Sequence, residues 1–176
     1  MVSSASARTL LLLRHAKSSW DKPAADDLDR PLAPRGRRTA PLIAAEMARR
    51  GWVPELVLCS PARRTRETWD LVAPALGPVP VTYDPGLYLA APAALLRLVR
   101  ATAPEVACLL VIGHNPGLQE LALLLADPAS GDSLGRLRAK LPTAALAVLG
   151  QSGGPWSAVA AGGLRLQAFV TPGDLK

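Results

Sequence analysis

Several ingredients are scarce in this 176-residue chain, and each shortage narrows what the protein can do. With one phenylalanine and two tyrosines, the core must be built mainly from Leu, Val and Ala. Cys59 and Cys108 lie inside or at the end of apolar runs and share no ligand-type spacing. They read as buried, reduced thiols rather than a disulfide framework. The two histidines, His15 and His114, have no Asp/Glu cluster at zinc spacing around them, which argues against a metal. A Gly-x-x-x-x-Gly-Lys-Ser/Thr loop and a Gly-x-Ser-x-Gly elbow are both missing, which speaks against a P-loop nucleotidase and a Ser-His-Asp hydrolase. The apolar run before Arg14 is too short for a signal-peptide core, and Leu121 to Leu125 falls far short of a membrane span. The expectation is a soluble, cytoplasmic protein that needs no cofactor and does not engage membranes.

Lysine is scarce too, at 4 residues against 16 arginines, within a formal net charge of +6. Arg is preferred where a planar fork must grip phosphate or carboxylate oxygens. There is no long basic tail and no interleaving of Arg with aromatics, so nucleic acid is not the expected partner. The anion to look for is a single phosphate-bearing group.

The apolar pattern alternates between strand-length and helix-length segments. Leu10 to Leu13 suits a strand buried on both faces. A long polar loop, Lys17 to Pro34, carries Asp21, Asp26, Asp27 and Asp29, and loops of that length are usually functional or disordered. Arg35 to Arg50 reads as an amphipathic helix with Leu42, Ile43, Ala45 and Met47 inward. Gly51 stops it, and Pro41 implies a kink or a later start. Strands are expected at Glu55 to Cys59, Val79 to Tyr83, Val106 to Ile112, Ala144 to Leu149 and Leu164 to Val170. Helices are expected after Ser60-Pro61, at Pro92 to Ala101 and after Asn115-Pro116. Ser60 and Asn115 read as N-caps and each proline as a first helical residue. Ala129 to Arg138 reads as a loop or short helix. The order argues one α/β domain over residues 1–176: a three-layer sandwich with a mainly parallel central sheet and helices on both faces. Residues 1–8 and 172–176 are expected to fray.

Three of these strands end in residues of catalytic type: Arg14 with His15, Ser60 with Arg63, Arg64 and Arg66, and His114. In a parallel sheet the carboxyl ends share one edge, where α/β proteins bind ligands. Helix N-termini beside them also favour anions. The convergence predicts a phosphate site with a nucleophile beside it. At most one or two of Arg63, Arg64 and Arg66 can point into it.

Leu13-Arg14-His15-Ala16, Arg30-Pro31-Leu32, Ser60 to Thr68 and Gly113-His114-Asn115-Pro116 together resemble the histidine phosphatase superfamily. The Arg-His-Ala-Lys-Ser-Ser-Trp opening is similar to its SixA-type phosphohistidine phosphatase branch. The resemblance covers roughly residues 9 to 126 and implies a phosphoglycerate mutase-like fold. It implies His15 as nucleophile, Arg14 as its partner, Arg64 as the second arginine, His114 as the second histidine and Arg30 near the phosphate. Ser60 and Lys17 complete the candidate substrate contacts. Ala16 departs from the family's Gly by one methyl. Mutase-like members carry a proton-donor Glu in an Asp-x-x-Leu-x-Glu pattern, where this chain has Asp84-Pro85-Gly86-Leu87-Tyr88-Leu89. Loss of a general acid costs about 10² to 10⁴ in rate for an alkoxide leaving group. It matters much less for imidazole, whose pKa is about 6.5. The expected activity is therefore metal-independent hydrolysis of phosphohistidine on a protein. The alternatives are a phosphatase of small esters or sugar phosphates, with an acid from the Asp21–Asp29 loop, and a non-catalytic phospho-ligand binder. The substrate protein and the oligomeric state are not legible.

Overall fold

Four consecutive leucines can be buried only if both faces of their strand are covered, and that condition organises the molecule. A computed structural model describes residues 7–21 and 26–176. Its single sheet has six strands: β1 (Arg8–Arg14), β2 (Leu56–Cys59), β3 (Val81–Tyr83), β4 (Cys108–Gly113), β5 (Leu146–Gln151) and β6 (Arg165–Val170). They lie in the order β3-β2-β4-β1-β5-β6. β1, β2, β3 and β4 run parallel, and β5 is antiparallel to both of its neighbours.

The helices α1 (Pro34–Arg50) and α2 (Arg63–Leu76) cover one face. The other face is covered by α3 (Pro92–Arg100), α4 (Gly117–Leu125) and α5 (Asp132–Ala139). Alternation along β1 serves both layers. Leu11 and Leu13 pack with Ile43, Met47, Trp69 and Val72, whereas Leu10 and Leu12 pack with Leu95, Val99, Leu118 and Leu121. All four β1 leucines are at most 1% exposed. Each therefore contributes about 1.5–3 kcal/mol of transfer free energy. The chain steps outward from β1 to β3 and then returns to place β4 between β1 and β2. Right-handed crossovers move the covering helices to the opposite face when the direction reverses.

The α/β sandwich and its mainly parallel sheet match the sequence expectation, and several local expectations are corrected. On α1 the inward face is Ala40, Ile43, Ala44 and Met47, whereas Leu42 and Ala45 are exposed. Pro41 lies inside a continuous helix that starts at Pro34. Ser60 and Asn115 are not N-caps. α2 starts at Arg63 behind Ala62, and α4 starts at Gly117 behind a cis Asn115–Pro116 bond. Both side chains are used elsewhere, as described below. The C-terminal residues do not fray: Pro172–Leu175 form a 3-10 turn closed by a reciprocal Thr171–Asp174 capping box, and Asp174 pairs with Arg136. At the other end, Arg8 already belongs to β1 and donates to the Pro104 carbonyl, while residues 1–6 lie outside the described residues. Cys59 is buried and Cys108 half-buried; neither is in a disulfide.

The polar loop after β1 is folded back on itself by a Ser18–Leu32 bridge. It is fastened to α1, because the Lys17 carbonyl accepts from Ala33 N–H at 2.8 Å. Gly36 makes the approach possible: a Cβ there would lie 2.2 Å from the Lys17 carbonyl oxygen. Gly36→Ala is expected to destabilise the fold by about 1–3 kcal/mol in urea unfolding, despite alanine's better helix propensity. An unchanged midpoint would show that the loop is not held this way.

Candidate active site

The register of three adjacent strands builds the site. Arg14 on β1 is level with Gly113 on β4, and Cys59 on β2 is level with Ile112. The next residues, His15, His114 and Ser60, are therefore delivered side by side. The His15 N–H donates to the Gly113 carbonyl, the Ser60 N–H donates to the Ile112 carbonyl, and the two imidazole centroids are 5.4 Å apart. Ala144, at φ +60, closes the far side by donating its N–H to the carbonyls of Arg14 and His15. Thr68 on α2 ties the loop behind His15 down, accepting from Ala16 N–H at 3.0 Å and donating to the Arg64 carbonyl at 2.7 Å.

His15 is 6% exposed. Its Nδ1 lies 2.8 Å from the Ala16 carbonyl oxygen. A carbonyl only accepts, so Nδ1 holds the proton and Nε2 keeps its lone pair. Burial, followed by the charges of His114, Arg64 and Arg14, lowers the imidazole pKa to about 3, against the pull of the Ala16 hydrogen bond. His114 sits between Ser60 Oγ, 2.7 Å from Nε2, and Arg64 Nη2, 3.3 Å from Nδ1. Since a guanidinium only donates, Nδ1 is the acceptor and Nε2–H points at Ser60. Burial and then Arg64 lower the His114 pKa to about 4. Both rings are neutral near pH 7.

Three guanidinium groups reach the same cleft, of about 320 Å³, which Lys17, Ser18, Trp20, Asp27 and Leu89 also line. Arg14 donates from Nη1 to the Leu141 carbonyl at 3.0 Å. Arg64 is 3% exposed and donates to the Asp27 carbonyl at 2.8 Å and to its carboxylate at 3.0 Å. Arg30 donates to Ser18 Oγ at 2.7 Å, lies 3.2 Å from the Asp27 carboxylate and stacks 3.4 Å from the Trp20 ring centroid. Each of the three retains a buried nitrogen with no hydrogen-bond partner among the described residues: Arg14 Nε, Arg30 Nη1 and Arg64 Nε. Spare buried donors of this kind are what an oxyanion satisfies.

All seven candidates from the sequence are thus located. His15, Arg14, Arg64, His114 and Arg30 converge on the cleft, Lys17 lines its rim, and Ser60 reaches it only through His114. Of the α2 arginines, only Arg64 enters; Arg63 pairs with Glu67 and Arg66 lies over Tyr83. Sequence reasoning had the acidic loop but did not single out Asp27, whose carboxylate also accepts from Tyr88 OH at 2.5 Å. That hydrogen bond, helped by Arg64, holds the Asp27 carboxyl below its usual range. Trp20, Tyr88 and Asn115 were also missed. Asn115 reaches the Leu141 carbonyl that holds Arg14, an acceptor with no side-chain signature in a sequence. Leu89 lines the cleft at φ +49. Burial pushes both cysteine thiols up to about 12, so both stay protonated near pH 7. Among the described residues no group of three or more His, Cys, Asp or Glu is arranged to hold a metal, and no helix is long and apolar enough to cross a membrane.

A neutral imidazole with a free lone pair, ringed by guanidinium donors at the carboxyl edge of a parallel sheet, defines a phosphoryl-handling α/β protein. The sequence profile of the histidine phosphatase superfamily (branch 1) matches residues 10–88. An uncharacterised protein of Mycobacterium tuberculosis is 37% identical over 162 residues, covering 91% of this chain and 99% of the relative. A solved structure from Nakamurella multipartitia, described as a candidate phosphohistidine phosphatase SixA, superposes with a TM-score of 0.81 at 33% identity. It covers 97% of this chain and 99% of the other. The protein histidine phosphatase SixA complexed with tungstate gives a TM-score of 0.74 at 28% identity, over 96% and 99% of the two chains. The chain belongs to the histidine phosphatase superfamily, in its SixA-type branch, and is a hydrolase of the phosphatase class.

Two outcomes are expected from this geometry. Because the chain's only two histidines are both in the site, an NMR titration of tag-free protein reads them directly. Neither ring should titrate near the ordinary value of about 6.5. Protonation is expected only as pH falls towards about 4 for His114 and about 3 for His15. With folded values below the unfolded one, the stability tied to these neutral rings is complete above about pH 6.5 and drains away on acidification. A midpoint near 6.5 for either ring would overturn the assignment. Secondly, Asp27→Asn frees donors of Arg64 and Arg30 and should tighten competitive inhibition by inorganic phosphate by about 3- to 10-fold. Unchanged or weaker inhibition would show that the carboxylate does not occupy the clamp.

Proposed function

We propose that the protein removes the phosphoryl group from phosphohistidine on a protein, through a covalent phosphohistidine of its own at His15. The reading rests on one observation: the His15 Nε2 lone pair is unencumbered beside the spare donors of Arg14, Arg30 and Arg64, while Asp27, the carboxyl that lines the cleft among the described residues, is held ionised. Attack of Nε2 on phosphorus forms the P–N bond to His15 as the bond to the leaving nitrogen breaks. If the leaving imidazole enters protonated at its other nitrogen, it departs neutral and needs no further proton. Water then attacks phosphorus, the bond to Nε2 breaks, and phosphate leaves. The guanidinium groups neutralise charge on the equatorial oxygens throughout, which is where most phosphoryl-transfer catalysis arises. His114 is a switchable donor in this scheme. Its Nδ1 faces Arg64 in the free protein, and a dianion nearby raises its pKa so that Nδ1 can take up a proton and donate to the phosphate.

The chemistry of the leaving group also bears on substrate. Leu89 stands where the mutase-like pattern has its glutamate, and it cannot protonate an alkoxide. Asp27 is the carboxyl that the polar loop brings into the cleft, but Tyr88 and Arg64 keep it ionised, which makes it a poor proton donor. Both facts favour a phosphoramidate or an activated ester over a sugar phosphate. The tungstate carried by the SixA relative is a phosphate-like oxyanion, in keeping with this reading. Two free thiols suit a reducing compartment, and the proposal places the reaction in the cytoplasm.

The test is a panel that compares a phosphohistidine protein with p-nitrophenyl phosphate and an alkyl phosphate, in the presence of EDTA. The phosphoramidate and the aryl ester should be hydrolysed, with the alkyl phosphate slower by about 10² or more. His15→Ala should lose at least about 10³ in kcat, and Arg64→Ala should be severely impaired. Parent-rate turnover by His15→Ala would overturn the nucleophile. A preference for the alkyl phosphate would transfer the assignment to small esters, and binding without turnover would make the protein a phospho-ligand module.

A further inference from the structure

A second cavity, of about 210 Å³, opens directly beside the catalytic cleft and shares Lys17 and Thr143 with it. Its other polar lining includes Arg35 and Thr171, and no carboxylate lines it. Neither Lys17 nor Arg35 forms an ion pair among the described residues, and the same holds for Arg38 on α1, whereas three other α1 arginines are matched. Arg37 pairs with Glu67, and Arg49 and Arg50 pair with Glu46. Asp174, bonded to the lining residue Thr171, is saturated. It takes two bonds from Arg136, at 2.9 and 2.8 Å, and accepts from Thr171 N–H at 2.8 Å and from Thr171 Oγ at 3.0 Å. The backbones that carry the two cations are held in fixed relation, and both side chains are exposed. The Lys17 backbone is hydrogen-bonded to Ala33 and packed on Gly36 in the first turn of α1, the turn that carries Arg35. A concave, positively charged space with no internal counter-ion, reached from the catalytic cleft across one lysine, is complementary to an anion that arrives with the substrate.

We propose that this annexe binds a second oxyanion of the substrate, tethered to the phosphoryl group that is removed at His15. Lys17 stands between the two sites and Arg35 is the far anchor. On a phosphoprotein, the second oxyanion is an aspartate or glutamate close in space to the phosphohistidine; on a small molecule, it is a further carboxylate or phosphate. The inference rests on the reading of the His15 cleft as the phosphoryl site.

Non-hydrolysable probes separate the two readings. Methylphosphonate and a series of ω-phosphonocarboxylates of increasing chain length would be titrated calorimetrically into the wild-type protein and into Arg35→Gln, Arg35→Lys and Arg64→Ala. At the best chain length the carboxylate should tighten binding about 5- to 10-fold over methylphosphonate. The gain should largely vanish in Arg35→Gln, persist in part in Arg35→Lys, and fade at about 0.5 M salt. Methylphosphonate itself should bind Arg35→Gln as it binds wild type, and should bind Arg64→Ala poorly. If no chain length improves on methylphosphonate, or if the gain survives Arg35→Gln, the annexe is not an oxyanion site. If methylphosphonate binds neither protein, or binds Arg64→Ala normally, the reading of the cleft fails, and the annexe proposal with it. Kinetics then identify the source of the anion. A phosphohistidine peptide with a neighbouring Glu, compared with Gln, should gain about 5-fold in kcat/KM if the source is protein, and the gain should depend on Arg35. An Arg35-dependent gain confined to carboxylated small esters would assign it to a small molecule.

Discussion

The pairing of β1 with β4 is the constraint on which the rest depends. Two parallel strands in one register bring Arg14 level with Gly113, so the following residues emerge as neighbouring imidazoles. A slip of one residue would turn Leu11 and Leu13 from one layer to the other and separate His15 from His114. Burial on both faces forbids such a slip, because β1 and β4 each carry four consecutive buried leucine, valine or isoleucine residues. Core packing and site geometry are thus set by the same interaction.

Electrostatics follow from that placement. Imidazoles at the end of buried strands lose solvation, which keeps them neutral, and the guanidinium groups beside them act in the same direction. A guanidinium keeps its charge under the same conditions, so the site divides naturally into neutral bases and permanent cations. Backbone carbonyls do much of the positioning. Ala16 fixes the His15 tautomer, and Leu141 holds Arg14 and Asn115 together.

Much of this was legible in the chain because it depends on patterns that a sequence carries. Strand-length apolar runs ending in Arg-His, Ser-Pro and Gly-His read directly as sheet edges, and the alternation of elements read as a parallel sandwich. The two proposed N-caps failed for one physical reason: Ser60 and Asn115 have the right chemistry for a cap but are drawn into bonds with His114 and Leu141. Local propensity yielded to tertiary contacts. The inward face of α1 was misjudged because Leu42 is apolar yet lies off the buried stripe, where Ala44 takes the place expected of Ala45. Asp27 could not be separated from Asp21, Asp26 and Asp29, since only the fold-back of the loop decides which carboxylate faces Arg64.

That carboxylate carries a consequence for life among abundant anions. A bare cluster of three guanidinium groups would be filled by whatever oxyanion is most concentrated around it. With Asp27 lodged against Arg64 and Arg30, an anion that reaches for the donors it occupies competes with a tethered rival of high local concentration. Ligands that offer only a phosphate face that competition at its full strength. A ligand with further contacts outside the clamp is favoured in that competition over a lone anion, because the carboxylate opposes both equally and only one brings contacts elsewhere.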